Sequence, residues 1–152
     1  MKSTRGDLVE MAKRGQFDVI LHGCNCWCEM GAGIAKAIRH NFPEAYRADL
    51  ETTPGDPGKL GSCSVGSSSV EGGELDVVNA YIQFNYSKQH DDEVLVDYDA
   101  VRSCMRWIKK RYSGRGIGLP KIGAGLAGGD WNRISRIIDE ELDGEAVTLV
   151  EL

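Results

Sequence analysis

Four glycines between positions 123 and 129 mark the stretch best suited to binding chemistry. The segment Ile117–Trp131 reads IGLPKIGAGLAGGDW, an apolar run followed by a glycine-rich turn and the start of a helix. Glycine lets backbone N–H groups approach a ligand closely, and a helix N-terminus adds about half a positive charge. The segment therefore predicts a phosphate-binding loop.

The spacing of Gly123, Gly125 and Gly128 also matches the dinucleotide motif G-x-G-x-x-G. Only one helix and one strand fit between this motif and Leu152, which leaves no room for a second mononucleotide-binding half. A Rossmann oxidoreductase is therefore the less favoured alternative.

A second strand, glycine loop and helix unit lies near the N-terminus. The apolar run Phe17–His22 leads to Gly31 and Gly33, and a helical stripe of apolar residues follows to Phe42. His22 has an ordinary pKa of about 6.5 and could act as a general acid or base. An equally favoured interpretation is a strand histidine whose ring holds a loop in place.

His22 alternates with Cys24, Cys26 and Cys28, a spacing that invites a metal site. On an extended strand the four side chains would span roughly 20 Å, too far for one tetrahedral shell. No metal is predicted, a Cys-His nucleophile is disfavoured, and the five cysteines are interpreted as reduced thiols.

The remaining periodicities describe the elements that would hold these loops. Helical stripes cover 97–112 and 131–142, Asp7 and Asp130 can cap helices, and strand patterns cover 62–70, 75–83, 115–120 and 146–150. This alternation predicts an α/β fold with a mixed central sheet flanked by helices on both faces. Both glycine loops then meet at the carboxyl edge of the sheet and predict a diphosphate ligand.

Length and charge narrow the class of protein further. The 152 residues predict a single domain, 1–152, and the net charge of −5 makes nucleic acid an unlikely partner. The sequence has no signal peptide and no apolar run long enough for a membrane span, so we expect a cytoplasmic protein. We also expect a monomer that needs no cofactor.

Four motifs in series resemble the macro domain over essentially the whole chain. They are GDL at 6–8, LHGCN at 21–25, MGAGIA at 30–35 and PKIGAGLAGG at 120–129. The resemblance is closest to the branch of yeast-type ADP-ribose 1''-phosphate phosphatases and of enzymes that remove ADP-ribose from proteins or DNA. It implies a three-layer α/β/α macro-domain fold and ADP-ribose, or a derivative, as the ligand.

The resemblance also implies roles for individual residues. Asp7 would accept a hydrogen bond from the adenine amino group beside Leu8, and Asn25 would approach the distal ribose. The first loop around the distal ribose and diphosphate would be Gly31, Ala32, Gly33 and Ile34, and the second would be Ile122, Gly123, Ala124, Gly125, Leu126 and Ala127.

The chemistry implied by the resemblance is hydrolysis of ADP-ribose 1''-phosphate, with His22 and Asn25 orienting the attacking water. This chain departs from related hydrolases at two positions, since Gln83 stands near their catalytic lysine and Ala127 at their catalytic aspartate. A covalent lysine mechanism is therefore not expected. The alternatives are a binding module without chemistry and a hydrolase of ADP-ribosyl esters such as O-acetyl-ADP-ribose or ADP-ribosylated protein.

Overall fold

The computed structural model describes residues 1–152 as six strands and five α-helices. The strands are β1 (Lys2–Arg5), β2 (Val19–Cys24), β3 (Cys63–Val70), β4 (Gly73–Tyr81), β5 (Gly116–Leu119) and β6 (Ala146–Glu151). The helices are α1 (Leu8–Lys13), α2 (Gly33–Asn41), α3 (Pro43–Leu50), α4 (Tyr98–Tyr112) and α5 (Trp131–Glu141). A single 3₁₀ turn covers Pro57–Lys59.

The strands form one mixed sheet in the order β1-β6-β5-β2-β4-β3. All neighbouring pairs are parallel except β3 and β4, which form the predicted antiparallel hairpin. Strand β2 pairs with both β5 and β4, so it lies at the centre of the carboxyl edge. The loops that follow β2 and β5 are consequently neighbours.

Two hydrophobic clusters cover the two faces of the sheet. The larger joins α4 and α5 to one face through residues such as Val101, Met105 and Ile134, while the smaller joins α1, α2 and α3 to the other through Leu8 and Ile38. These three layers confirm the predicted α/β fold with a mixed central sheet and helices on both faces.

Strand β1 is the element that sequence patterning missed. Its four residues are all exposed at the edge of the sheet, so they carry no apolar alternation that could identify a strand. Its parallel pairing with β6 nevertheless brings Asp7, just beyond its end, to the carboxyl edge. Asp7 and Asp130 accept hydrogen bonds from Glu10 N and Asn132 N, which confirms both predicted caps.

No helix of the structure is both long and apolar enough to cross a bilayer.

No group of three or more His, Cys, Asp or Glu side chains is positioned to hold a metal ion, and the five cysteines are unpaired.

The contact between β3 and α3 depends on Gly66. A methyl group at this position would run into the backbone of Glu44 and Ala45, which cannot move without displacing the helix. We expect Gly66→Ala to lower the free energy of unfolding in urea by about 1–3 kcal/mol. Gly73→Ala is the matched control, because a methyl group there meets nothing within 4 Å; equal stability losses in both variants would contradict this account.

Candidate functional site

A cleft of about 510 Å³ opens at the carboxyl edge of the sheet, between the loops that follow β2 and β5. We call residues 25–33 loop 1 and residues 120–130 loop 2. Ten of the predicted ligand-binding residues line this cleft: Asn25, Gly31, Ala32, Gly33, Ile34, Ile122, Gly123, Gly125, Leu126 and Ala127. The structure thus brings the two predicted glycine loops together across one cavity.

The side chain of Asn25 fixes the course of loop 1. Its Nδ2 donates to the carbonyl of Glu29 at 2.8 Å, and its Oδ1 accepts from Trp27 N at 2.9 Å. A further contact from Glu29 N to the same oxygen measures 3.4 Å. Asn25 therefore reaches the cleft as predicted, but most of its hydrogen-bonding capacity holds the loop in shape.

Residues 55–59, which precede β3, also hold loop 1 in place. The carbonyl of Cys26 accepts from Gly55 N at 2.7 Å and from the buried Lys59 Nζ at 3.2 Å. The indole of Trp27 packs on Gly55 and meets the ring of Phe84 edge to face at 5.6 Å between centroids. Loop 1 is consequently a fixed wall of the cleft.

Loop 2 is built from consecutive tight turns. Gly129 N donates to Gly123 O at 2.7 Å, Gly128 N donates to Gly125 O at 3.0 Å, and Gly123 and Gly128 have φ values of 70° and 72°. These angles lie in the left-handed region that favours glycine. The turn then passes into α5 through the Asp130 cap.

Several backbone N–H groups of both loops have no partner within the protein. In loop 1 and the first turn of α2 these are Gly31, Ala32, Gly33 and Ile34, and in loop 2 they are Gly123, Gly125, Leu126 and Ala127. No side chain caps α2, whereas α1, α4 and α5 are capped by aspartates. Unpaired amides beside an uncapped helix N-terminus favour an anion in this cleft.

The structure places His22, a predicted catalytic residue, outside the cleft, and its catalytic role stays a prediction. Its ring is fully buried on the α3 side of β2 and lies outside the cleft lining. Asn79 Nδ2 donates to Ala45 O and Ser64 Oγ, so its Oδ1 is the acceptor that faces His22 Nε2 at 2.7 Å. Burial lowers the pKa of His22 to about 4, so the imidazole is neutral near pH 7.

His22 instead begins a directional chain of buried hydrogen bonds. His22 donates to Asn79, and Asn79 donates to Ser64 Oγ at 3.0 Å. The Ser64 hydroxyl lies 2.7 Å from the Tyr81 hydroxyl, which donates to Asp49 at 2.7 Å. Burial raises the pKa of the Asp49 carboxyl, and the bond from Tyr81 opposes that rise. No buried side-chain nitrogen or oxygen lacks a partner, so this chain accounts for the polar groups under loop 1.

Cys24 lies beside His22 but is not activated by it. The thiol is 3.3 Å from His22 Nε2 and 3.7 Å from Nδ1, and the Cys24 residue reaches the cleft lining. Burial and the nearby charge of Asp49 raise the pKa of this thiol well above its ordinary value. A neutral imidazole beside a protonated thiol supports the earlier preference against a Cys-His nucleophile.

Three predicted binding residues lie outside the cleft lining. Asp7 is exposed at the end of β1, and Leu8 is buried in the cluster against which Ile34 packs, so both sit at the same sheet edge but beside the cavity. Ala124 lies in loop 2, yet its side chain packs toward the core under α4 and α5. Its methyl group therefore packs against the core and does not line the cleft.

Sequence reasoning did not assign Glu29 and Tyr86 to the site, although both line the cleft. Glu29 stands two residues before the first glycine of loop 1, which is a signal that could have been used. Tyr86 lies in a polar segment without periodicity, so only the tertiary structure reveals its position. Gln83 also lines the cleft, and its Nε2 donates to Asn85 O at 2.9 Å.

Comparison with known proteins shows the family of this chain. The family model described as Macro domain matches residues 21–138, which include both loops. The chain belongs to the macro domain family. This macro domain is 33% identical over 144 residues to an uncharacterised 17.5 kDa protein of Enterobacteria phage T4, covering 91% of this chain and 88% of the phage protein.

A more distant relative has a named activity. The ADP-ribose 1''-phosphate phosphatase of Lodderomyces elongisporus is 25% identical over 150 residues, covering 92% of this chain and 91% of the yeast protein. The macrodomain of Trypanosoma brucei, solved in complex with ADP-ribose, superposes with a TM-score of 0.65 at 18% identity, covering 97% of this chain and 62% of that one. The latter likeness shows the common fold.

The buried His22 should make stability depend on pH. Its pKa rises from about 4 in the folded protein to about 6.5 on unfolding, so the unfolded chain binds more protons between these values. We therefore expect protonation of His22 to lower the free energy of unfolding by about 3 kcal/mol as pH falls from 6.5 to 4. Comparison of urea unfolding curves for the wild type and His22→Gln at several pH values should show this difference.

The matched control for His22 is His40→Gln, because His40 is exposed on α2. Its stability curve should run parallel to that of the wild type over the same pH range. A His22→Gln curve that is also parallel to the wild type would contradict the buried neutral imidazole.

Proposed function

We propose that this macro domain binds ADP-ribose in the cleft between loops 1 and 2 and hydrolyses ADP-ribose 1''-phosphate to ADP-ribose and phosphate. The observation that carries the proposal is the set of unpaired amides on both loops, all belonging to residues that line one cavity beside the uncapped start of α2. A diphosphate supplies oxygens to both sets at once. The named activity of the Lodderomyces relative supports the choice of substrate.

The charge distribution fits a small phosphorylated ligand better than a nucleic acid. The protein has a net charge of −5, and the one basic side chain in the cleft lining is Lys121, whose Nζ lies 3.2 Å from a carboxylate oxygen of Glu151. Phosphate binding in this cleft therefore relies on backbone dipoles. Backbone dipoles act at short range and do not attract a long polyanion.

The adenosine half of the ligand would extend toward Asp7 and Leu8. Both residues lie beyond the cavity but at the same edge of the sheet, and Leu8 packs in the cluster that Ile34 joins. Asp7 uses one carboxylate oxygen to cap α1, through a bond of 3.1 Å from Glu10 N. Its second oxygen has no partner within the protein and is available to accept the adenine amino group.

The proposed reaction needs no covalent intermediate. Gln83 offers an amide and no nucleophilic amine at the cleft wall, and the ring of His22 is too deeply buried to meet substrate. Direct attack of water on phosphorus is consistent with these side chains, and the amides of loops 1 and 2 would stabilise the charge that develops on the phosphate oxygens.

Incubation with ADP-ribose 1''-phosphate, O-acetyl-ADP-ribose and ADP-ribosylated protein, followed by mass spectrometry, tests the activity. We expect phosphate release from the first substrate at a rate well above the uncatalysed one. Binding of ADP-ribose with no turnover of any substrate would replace the phosphatase with a binding module. Turnover of an ADP-ribosyl ester alone would identify an ester hydrolase.

The binding module is the second candidate because of two specific observations. Ala127 brings a methyl group to the position where related hydrolases carry a catalytic aspartate, and the side chain of Gln83 is engaged with Asn85. Both features leave the loop amides intact. The cleft would therefore bind ADP-ribose equally well in a protein without chemistry.

Variants of Asp7 test the adenosine end separately from turnover. Asp7→Ala should weaken ADP-ribose binding about tenfold, as measured by calorimetry, because one charge-assisted hydrogen bond is worth about 1.5–3 kcal/mol. Asp7→Asn keeps an oxygen for the α1 cap and should preserve helix stability better than Asp7→Ala. Unchanged affinity in both variants would contradict the adenine assignment.

A further inference from the structure

Glu29 is the one acidic side chain in the lining of the cleft. Its residue is exposed on loop 1, and its carboxylate makes no hydrogen bond and no ion pair. The backbone around it is firmly held, because both its N–H and its carbonyl bind the side chain of Asn25. A residue with an unpartnered carboxylate is thus held in the lining of the cavity by its backbone.

The other groups in the cleft that could move a proton are engaged or blocked. Lys121 is paired with Glu151, the Gln83 amide is bound to Asn85, and burial keeps the Cys24 thiol protonated. The phenol of Tyr86 also lines the cavity, but at neutral pH a phenol is a weak acceptor of protons. Glu29 remains as the free group able to accept one.

We infer that Glu29 is the general base of the hydrolysis and so a catalytic residue; this inference rests on the proposed function. The carboxylate accepts a proton from water while the water oxygen forms a bond to phosphorus. The bond between phosphorus and the C1'' oxygen breaks, and that oxygen leaves as the hydroxyl of ADP-ribose after Glu29 returns the proton. One water is consumed, phosphate and ADP-ribose are released, and no electrons are transferred.

The negative charge of Glu29 has a second consequence that separates a catalytic role from a structural one. A carboxylate in a cleft that binds a diphosphate repels the ligand, because the two have the same sign. Solvent screening at an exposed site keeps this repulsion small. Removing the charge should therefore leave ADP-ribose binding unchanged or slightly tighter, while turnover falls.

Glu29→Gln provides the test, because it keeps the size of the side chain and removes the charge and the base. We expect kcat for ADP-ribose 1''-phosphate to fall about 100-fold or more. The dissociation constant of ADP-ribose should stay equal or decrease by up to about fivefold. Glu74→Gln, at an exposed position on β4 outside the cleft, removes the same charge and should retain wild-type values.

A parallel loss of turnover and ADP-ribose affinity in Glu29→Gln would overturn the inference and indicate a role in shaping loop 1. Turnover within about threefold of wild type would also overturn it. Chemical rescue gives an independent readout: added formate should restore part of the activity of Glu29→Ala, since a free carboxylate can occupy the vacated space. No rescue in a folded Glu29→Ala that binds ADP-ribose would count against a base at this position.

Failure of the proposed function is distinguishable from failure of this inference. The wild type could release acetate from O-acetyl-ADP-ribose, or ADP-ribose from the modified protein, but no phosphate from ADP-ribose 1''-phosphate. Glu29→Gln is then assayed on the substrate that is cleaved, and the same fall in kcat supports Glu29 as the base. If the wild type binds ADP-ribose and cleaves none of the three substrates, both the phosphatase and the general base are rejected.

Discussion

The spacing of the two loops depends on the side chain of Ile82. A methyl group added to Gly23 would collide with the Ile82 Cδ1 at 2.6 Å, and one added to Gly123 would lie 3.3 Å from the same atom. Ile82 follows β4, while the two glycines belong to the segments around β2 and β5, so one buried side chain touches all three strand ends that border the cleft. The width of the cleft is therefore set by core packing and not by the residues that would contact a ligand.

The rigidity of loop 1 has a different origin, because it depends on buried polar groups. The carbonyl of Cys26 is held by Lys59, whose Nζ lies 4.6 Å from the centre of the Tyr81 ring, and Tyr81 donates to the buried Asp49. The same hydroxyl joins the chain that begins at His22. Because every buried side-chain nitrogen and oxygen has a partner, the loop gains a defined shape without leaving an unpaired charge beneath it.

Much of the fold and the position of the cleft could be predicted from the sequence, because they follow from local patterns. Apolar periodicity identified the helices, and glycine-rich strand ends identified loops 1 and 2. Strand β1 was missed because an exposed edge strand has no apolar alternation. The position of His22 relative to the cleft could not be predicted either. Alternation shows that a strand side chain lies on one of the two faces of the sheet, but which face lies nearer the cleft depends on the strands that pair with β2.

In the proposed function, binding and chemistry depend on different parts of this macro domain. The unpaired amides belong to the backbone, so they survive most substitutions in the loops provided that the glycine conformations and the spacing set by Ile82 are kept. Glu29, Gln83 and Ala127 line the same cleft, but their side chains do not contribute to that amide set. A change at these three positions would alter the proposed reaction and leave the proposed anion site in place, because no side chain of the three makes a hydrogen bond to the backbone of loop 1 or loop 2.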